Sequence, residues 1–290
     1  MRSEISRPTK RALAMASSVL LVCSPVWGQG PVLKPPTAKH TPAAAPGLPI
    51  KASNTPIAPA LTQEDISIFL DGFMPQQIEQ ADIAGAVVAV VKDGQLLFSR
   101  GYGYSDYEKR IPVSAENTLF RPGSISKLFT WTSVMQLVEQ GKLQLDRDVN
   151  DYLNFKRPAR FGKPTTLRDI MTHRSGLEET IKDLFVGSEK DLRPIAEYLP
   201  THLPKQIFPP RTIPAYSNYA TTVAAYIVQR VSGQPFDDYV EQHIFQPLNM
   251  SHATFRQPLP HNLKSLISNG YTRASQGAKP FENIEVAPAG

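Results

Sequence analysis

The chain has 290 residues, 41% of them apolar and 20% charged, enough for one large core or two modest ones and incompatible with disorder along the whole length. Its net charge of +5 is concentrated at the front, where Arg2, Arg7, Lys10 and Arg11 against Glu4 give residues 1–28 a net of +3 and leave +2 on the rest. No dense stripe of lysine and arginine follows, which argues against a nucleic-acid partner.

The basic front reads as an export signal. An apolar run from Ala12 to Val22 is shorter than the roughly 20 residues a spanning helix needs, Pro25 breaks it, and Val26-Trp27-Gly28 supplies a small-residue cleavage site. The expectation is a signal peptide over 1–28, a periplasmic or secreted product, and no membrane span in the mature chain. A retained anchor is the alternative, and a lipid-modified Cys23 a weaker one, because Leu21-Val22 is a poor match to the small residues such processing prefers. Cys23 is the single cysteine, so signal removal excludes disulfides, thiolate metal sites and cysteine nucleophiles. Residues 29–60 hold eight of the 27 prolines, whose fixed φ and missing N–H predict an extended linker ahead of a domain over 61–290.

Elements follow in order. Thr62 with Asp65 three residues on predicts a capped helix start, and Ile66, Phe69, Leu70 and Phe73 give it an apolar face. Ile83 to Val91 and Gln95 to Tyr102, joined by Asp93-Gly94, predict a β-hairpin with a tight turn. After Pro122-Gly123 a helix is expected from Ser124 to Gln140, buried through Leu128, Trp131, Met135 and Val138 and stopped by Gly141. Thr166-Leu167-Arg168-Asp169 opens a short helix to His173, which Ser175-Gly176 stops. A further helix runs from Asn218 to Ser232 before Gly233, and another from Pro235 to Phe245. A hairpin followed by helices predicts an α+β arrangement. Two strands alone are marginal, and the stretch after Ser265 offers little further strand signal.

Ser124 and Lys127 carry the first chemical signal. Three residues apart at a helix start, their side chains share a face about 5–6 Å apart at Cβ. A serine hydroxyl needs such a neighbour to take its proton, and the free N–H groups of a first turn favour the negative charge that develops on an attacked carbonyl. In a chain this rich in serine and lysine the spacing alone is a chance event, so the context decides. Tyr216 and Asn218, two apart in a loop, point the same way: Tyr216 could relay a proton, and Asn218 could donate to a substrate carbonyl or hold Lys127. The plainer alternative is a packed Tyr ring and an Asn capping the next helix. The six histidines show no metal-ligand spacing, and His173 reads as a structural helix-end residue. No Gly-x-Ser-x-Gly elbow is present.

From Phe120 to Thr130, Gly141 to Asp146, Leu167 to Leu177, Tyr216 to Tyr219, Val231 to Phe236 and Pro247 to Met250, the chain resembles in order the β-lactamase-related serine hydrolases: class C β-lactamases, DD-peptidases and esterases of the same fold. The resemblance covers about 62–290. It implies a β-lactamase/transpeptidase-like fold, an antiparallel sheet flanked by helices with a helical subdomain. It also implies Ser124 as acylated nucleophile, Lys127 and Tyr216 as the proton-transfer pair, and Asn218 as a substrate-side donor. The implied substrates are β-lactams, D-Ala-D-Ala cell-wall peptides or small esters, with no metal or organic cofactor. The family's third motif, Lys-Thr-Gly or His-x-Gly on a late strand, has no match after Tyr216, so the chain resembles a C-terminally truncated member lacking late sheet strands. The alternative is a non-catalytic penicillin-recognising or cell-wall-binding module, or an inactive fragment.

Overall fold

The computed structural model describes residues 60–274 apart from Gly187 and Thr272, together with the backbone of 284–285. The expected signal peptide over 1–28 and nearly all of the expected linker over 29–60 lie outside these residues.

Helix α1, Gln63–Gln80, begins at the expected capping box: Thr62 accepts from the Asp65 N–H and Asp65 accepts from the Thr62 N–H. Its buried face differs from the expected one. Ile66 is buried and Leu70, Met74 and Ile78 pack beside it on the hairpin, at a spacing of four. Phe69 and Phe73 instead stack on each other at 5.4 Å on the exposed side. The hairpin follows the Asp-Gly signal: strands β1, Gly85–Lys92, and β2, Gln95–Asp106, pair antiparallel with Lys92 opposite Gln95. Asp93 and Gly94 both take positive φ, 52° and 75°, as a two-residue turn matched to strand twist requires. A short β3, Ile111–Pro112, adds to the β2 edge. Near the end, Ile267 makes a single parallel bridge to Leu119, and the two-residue strands β4, Phe185–Val186, and β5, Ile284–Glu285, pair apart from the main sheet.

The larger core is helical. Helix α5, Asn218–Ser232, runs through its middle, with ten consecutive residues from Tyr219 to Val228 buried. Around it pack α2 (Lys127–Glu139), α3 (Leu167–Met171), α4 (Ile195–Thr201) and α6 (Phe236–Val240). Val134, Leu137, Leu167, Ile170, Leu199 and Ile227 have no exposed surface or almost none. Each such side chain contributes about 1.5–3 kcal/mol on removal from water. Polar groups within α5 are served locally: Thr221 and Thr222 donate to the carbonyls of Ser217 and Asn218 four residues back. The expected helix over 235–245 is α6 followed by one π-type turn, Glu241–Phe245.

Two expectations for the nucleophile helix need correction. Gly123, at φ 58°, leads into a 3-10 turn over Gly123–Ser126, so Ser124 precedes the α-helix rather than opening it. The buried face is Lys127, Thr130, Ser133, Val134 and Leu137, while Leu128 and Met135 are exposed and Trp131 and Val138 only pack at the margin. Three of the five buried residues are polar, so apolar spacing points to the wrong face. The far end agrees with expectation: Gly141 is left-handed, its N–H donates to the Val138 carbonyl, and the Lys142 N–H donates to that of Leu137, which makes a Schellman stop.

Helix α3 depends on its cap. Thr166 and Asp169 are both buried, the Thr166 hydroxyl accepts from the Asp169 N–H at 3.2 Å, and the Asp169 carboxylate accepts from the Thr166 N–H at 3.0 Å. Thr166→Ala is expected to cost about 1–2 kcal/mol in urea unfolding, and Thr166→Ser to recover most of it.

Candidate active site

Three stretches meet at Ser124. The 3-10 turn presents its hydroxyl. One turn on, α2 brings Lys127, and because side chains at i and i+3 eclipse in a 3-10 turn the two groups line up. The segment leading into α5 brings Tyr216. Ser124 Oγ stands 2.5 Å from Tyr216 Oη and accepts from Lys127 Nζ at 2.8 Å. Lys127 also donates to Asn218 Oδ1 at 2.8 Å, and its ammonium lies 5.0 Å from the Tyr216 ring centre. The four residues singled out in the sequence therefore form one connected group.

Burial separates their roles. Lys127 is only 4% exposed, with its Nζ donating to two oxygens, whereas Tyr216 is 44% exposed. The Tyr216-Ser217-Asn218-Tyr219 run alternates. Tyr216 reaches Ser124 and Asn218 reaches Lys127, Ser217 is fully buried and caps α5 by accepting from the Ala220 N–H, and Tyr219 is buried with its hydroxyl on the Leu199 carbonyl. The cap is thus Ser217, and Asn218 is free for the site. Burial raises the Tyr219 phenol well above its ordinary value, so it stays protonated and serves packing.

Asn218 is oriented by Glu179, a residue with no sequence signal. Glu179 accepts the Asn218 backbone N–H at 2.8 Å and its side-chain amide N–H at 2.9 Å. That turns the amide oxygen toward Lys127. Of the two roles open to Asn218 in the sequence, the geometry displays the holding of Lys127.

A paired crossing of two segments, 173–178 and 205–215, carries Glu179 and Tyr216 to their places. Ala215 N–H donates to the His173 carbonyl at 2.6 Å, Arg211 N–H to Arg174 at 2.8 Å, Ile207 and Phe208 N–H to Gly176 at 2.8 and 3.1 Å, and Glu178 N–H to Lys205 at 2.9 Å. His173 itself lies against the Tyr216 ring. Burial, with a smaller contribution from the Lys127 charge, lowers its pKa below the ordinary 6.5.

The comparisons with known proteins place the chain in a family. The family model described as Beta-lactamase matches residues 70–281. PbpX of Bacillus subtilis, whose name describes a penicillin-binding protein, is 32% identical over 177 residues, 59% of this chain and 42% of its own. A teichoic acid D-alanine hydrolase of Staphylococcus aureus is 29% identical over 199 residues, 68% of this chain and 47% of its own. Among solved structures, the octameric penicillin-binding protein homologue of Pyrococcus abyssi superposes with a TM-score of 0.61 at 26% identity, over 70% of this chain and 47% of that one. The chain spans somewhat under half the length of these curated relatives. By family match, fold and order of segments, it belongs to the β-lactamase family.

Proposed function

We propose that the chain is an exported serine hydrolase that works through an acyl-enzyme on Ser124. The observation that carries this reading is the contact of one hydroxyl, Ser124 Oγ, with both Tyr216 Oη and Lys127 Nζ. As Oγ attacks a carbonyl carbon, its proton passes to this pair. The pair returns a proton to the leaving oxygen or nitrogen as that bond breaks, leaving an ester on Ser124. Water, deprotonated by the same pair, then attacks the ester and restores the hydroxyl. The N–H groups at the start of the 3-10 turn have no partner within the turn and favour the negative oxygen of the intermediate. β-Lactams, D-Ala-D-Ala peptides and small esters all fit this sequence of steps, as do the activities named for the family relatives. It needs no metal or organic cofactor. Residues 1–28 would direct export to the periplasm or beyond.

The test is a short incubation of the full chain with a fluorescent penicillin and, separately, a chromogenic acetyl ester, followed by peptide mass spectrometry. A Ser124 adduct and ester hydrolysis above a Ser124→Ala control are expected. An adduct without turnover would favour a penicillin-recognising binding module. Absence of both would overturn the reading.

A further inference from the structure

Tyr216 is nearly half exposed and, among the described residues, its hydroxyl bonds Ser124 alone, so a phenol on a loop must be held by its ring and its backbone. Both are gripped by one residue. The His173 ring lies tilted at 31° over the Tyr216 ring with centroids 4.4 Å apart, and the His173 carbonyl accepts the N–H of Ala215, next to Tyr216, at 2.6 Å. His173 is anchored in turn. Its N–H donates to the Ile170 carbonyl, its backbone takes φ 53°, and Trp131 meets its ring edge-on at 6.4 Å. Trp131 stands four residues after Lys127, hence on the same face of α2. That face thus reaches the nucleophile twice, through Lys127 directly and through Trp131, His173 and Tyr216.

We propose that His173 is the positioning residue of Tyr216, its neutral ring and its carbonyl together fixing where the phenol oxygen stands against Ser124. This rests on the acyl-enzyme reading above. The imidazole Nδ1 is buried with no hydrogen-bond partner among the described residues, an arrangement a neutral ring tolerates and an imidazolium does not. Tyr216 and Trp131 meet the ring, and the Lys127 charge acts on it. Arg174 follows it in the chain, and in the crossing Arg211 pairs with the Arg174 backbone and stands 3.7 Å from the Asp169 carboxylate. Protonation would leave a charged N–H without a partner at the buried Nδ1 and place a cation near Lys127.

Two variants and one spectrum test the proposal. His173→Ala is expected to lower the Ser124 acylation rate constant about ten- to a hundredfold with KM within about threefold, the scale of a small displacement of a reacting group. His173→Phe is expected to stay within about threefold of the parent at pH 8 and to lose the part of the parent's acid decline that follows His173, whose midpoint is expected below the ordinary 6.5. A parent rate retained by His173→Ala, a His173→Phe variant as slow as His173→Ala, or an acid decline unchanged in His173→Phe would overturn it. Proton NMR needs no turnover. The His173 Cε1–H resonance, assigned by its loss in His173→Phe, is expected to be shifted upfield by the Tyr216 ring and to move on Tyr216→Leu. A resonance indifferent to Tyr216→Leu would overturn the proposal even if no acylation were ever seen, whereas absence of a Ser124 adduct in the parent overturns the hydrolase reading alone.

Discussion

Lys127→Met is expected to slow acylation of Ser124 by about a thousandfold to ten-thousandfold while the melting temperature moves by only a few degrees. On the acyl-enzyme reading the rate effect is large because, among the described residues, Lys127 and Tyr216 are the two side chains hydrogen-bonded to the Ser124 hydroxyl, so removing Lys127 takes away a positioned proton acceptor and donor. The stability effect is small because two changes oppose each other. A lysine amine that is 4% exposed no longer has to be stripped of water, which favours the folded variant, and methionine refills the stem's volume. Against this, Asn218 Oδ1 loses its donor. Ser124 keeps Tyr216. If nucleophile and base act as a unit, Ser124→Ala combined with Lys127→Met should hydrolyse the chromogenic ester no more slowly than Ser124→Ala alone. The measurements are stopped-flow acylation by the fluorescent penicillin and a thermal melt. Retention of more than a tenth of the parent rate would remove Lys127 from the proton-transfer pair.

The largest loss of stability is expected from Gly176→Ala, at about 3 kcal/mol or more in denaturant unfolding. Gly176 takes φ 73°, a conformation costing a residue with Cβ about 1–2 kcal/mol. An added Cβ would also stand 2.0 Å from the Phe208 carbonyl oxygen, which is backbone and cannot swing aside. The two chains of the crossing would have to part. Since the same crossing delivers His173 and Glu179 to Tyr216 and Asn218, the residual folded protein should also acylate slowly. By contrast, Gly162→Ala, at a similar φ of 66° but with nothing near the new methyl, should cost only the conformational part. Equal losses at the two positions would show that contact with Phe208 is not what matters.

These two cases mark what was legible in the sequence. Asp93-Gly94, the capping boxes at Thr62 and Thr166 and the glycine stops at 141 and 233 are local chemistry and placed their elements well. The buried face of α2 was not legible, because Lys127, Thr130 and Ser133 are buried by what they bond and where the helix lies, and hydropathy counts them as exposed. Phe69 and Phe73 err the other way, since aromatic residues at helical spacing can stack on each other outside the core. Ser124, Lys127, Tyr216 and Asn218 were found through spacing and resemblance. Glu179 was missed because an acid in a loop has no periodicity, and only the folded chain shows that it holds an amide 39 residues away. His173 was read as a helix end, which is true of its backbone, while the job of its ring depends on a contact across the crossing.

The reach of the site's contacts carries a consequence for how the chain acquires its chemistry. Ser124 and Tyr216 are 92 residues apart and Lys127 and Asn218 are 91 apart. Closing loops of that length precedes any return from the contacts they allow, so these pairs form late. A partly folded chain, even with α2 and α5 each wound, holds the local Ser124–Lys127 pair without Tyr216 or Asn218. On the acyl-enzyme reading, the full set of contacts around the Ser124 hydroxyl is completed only when the two helices dock.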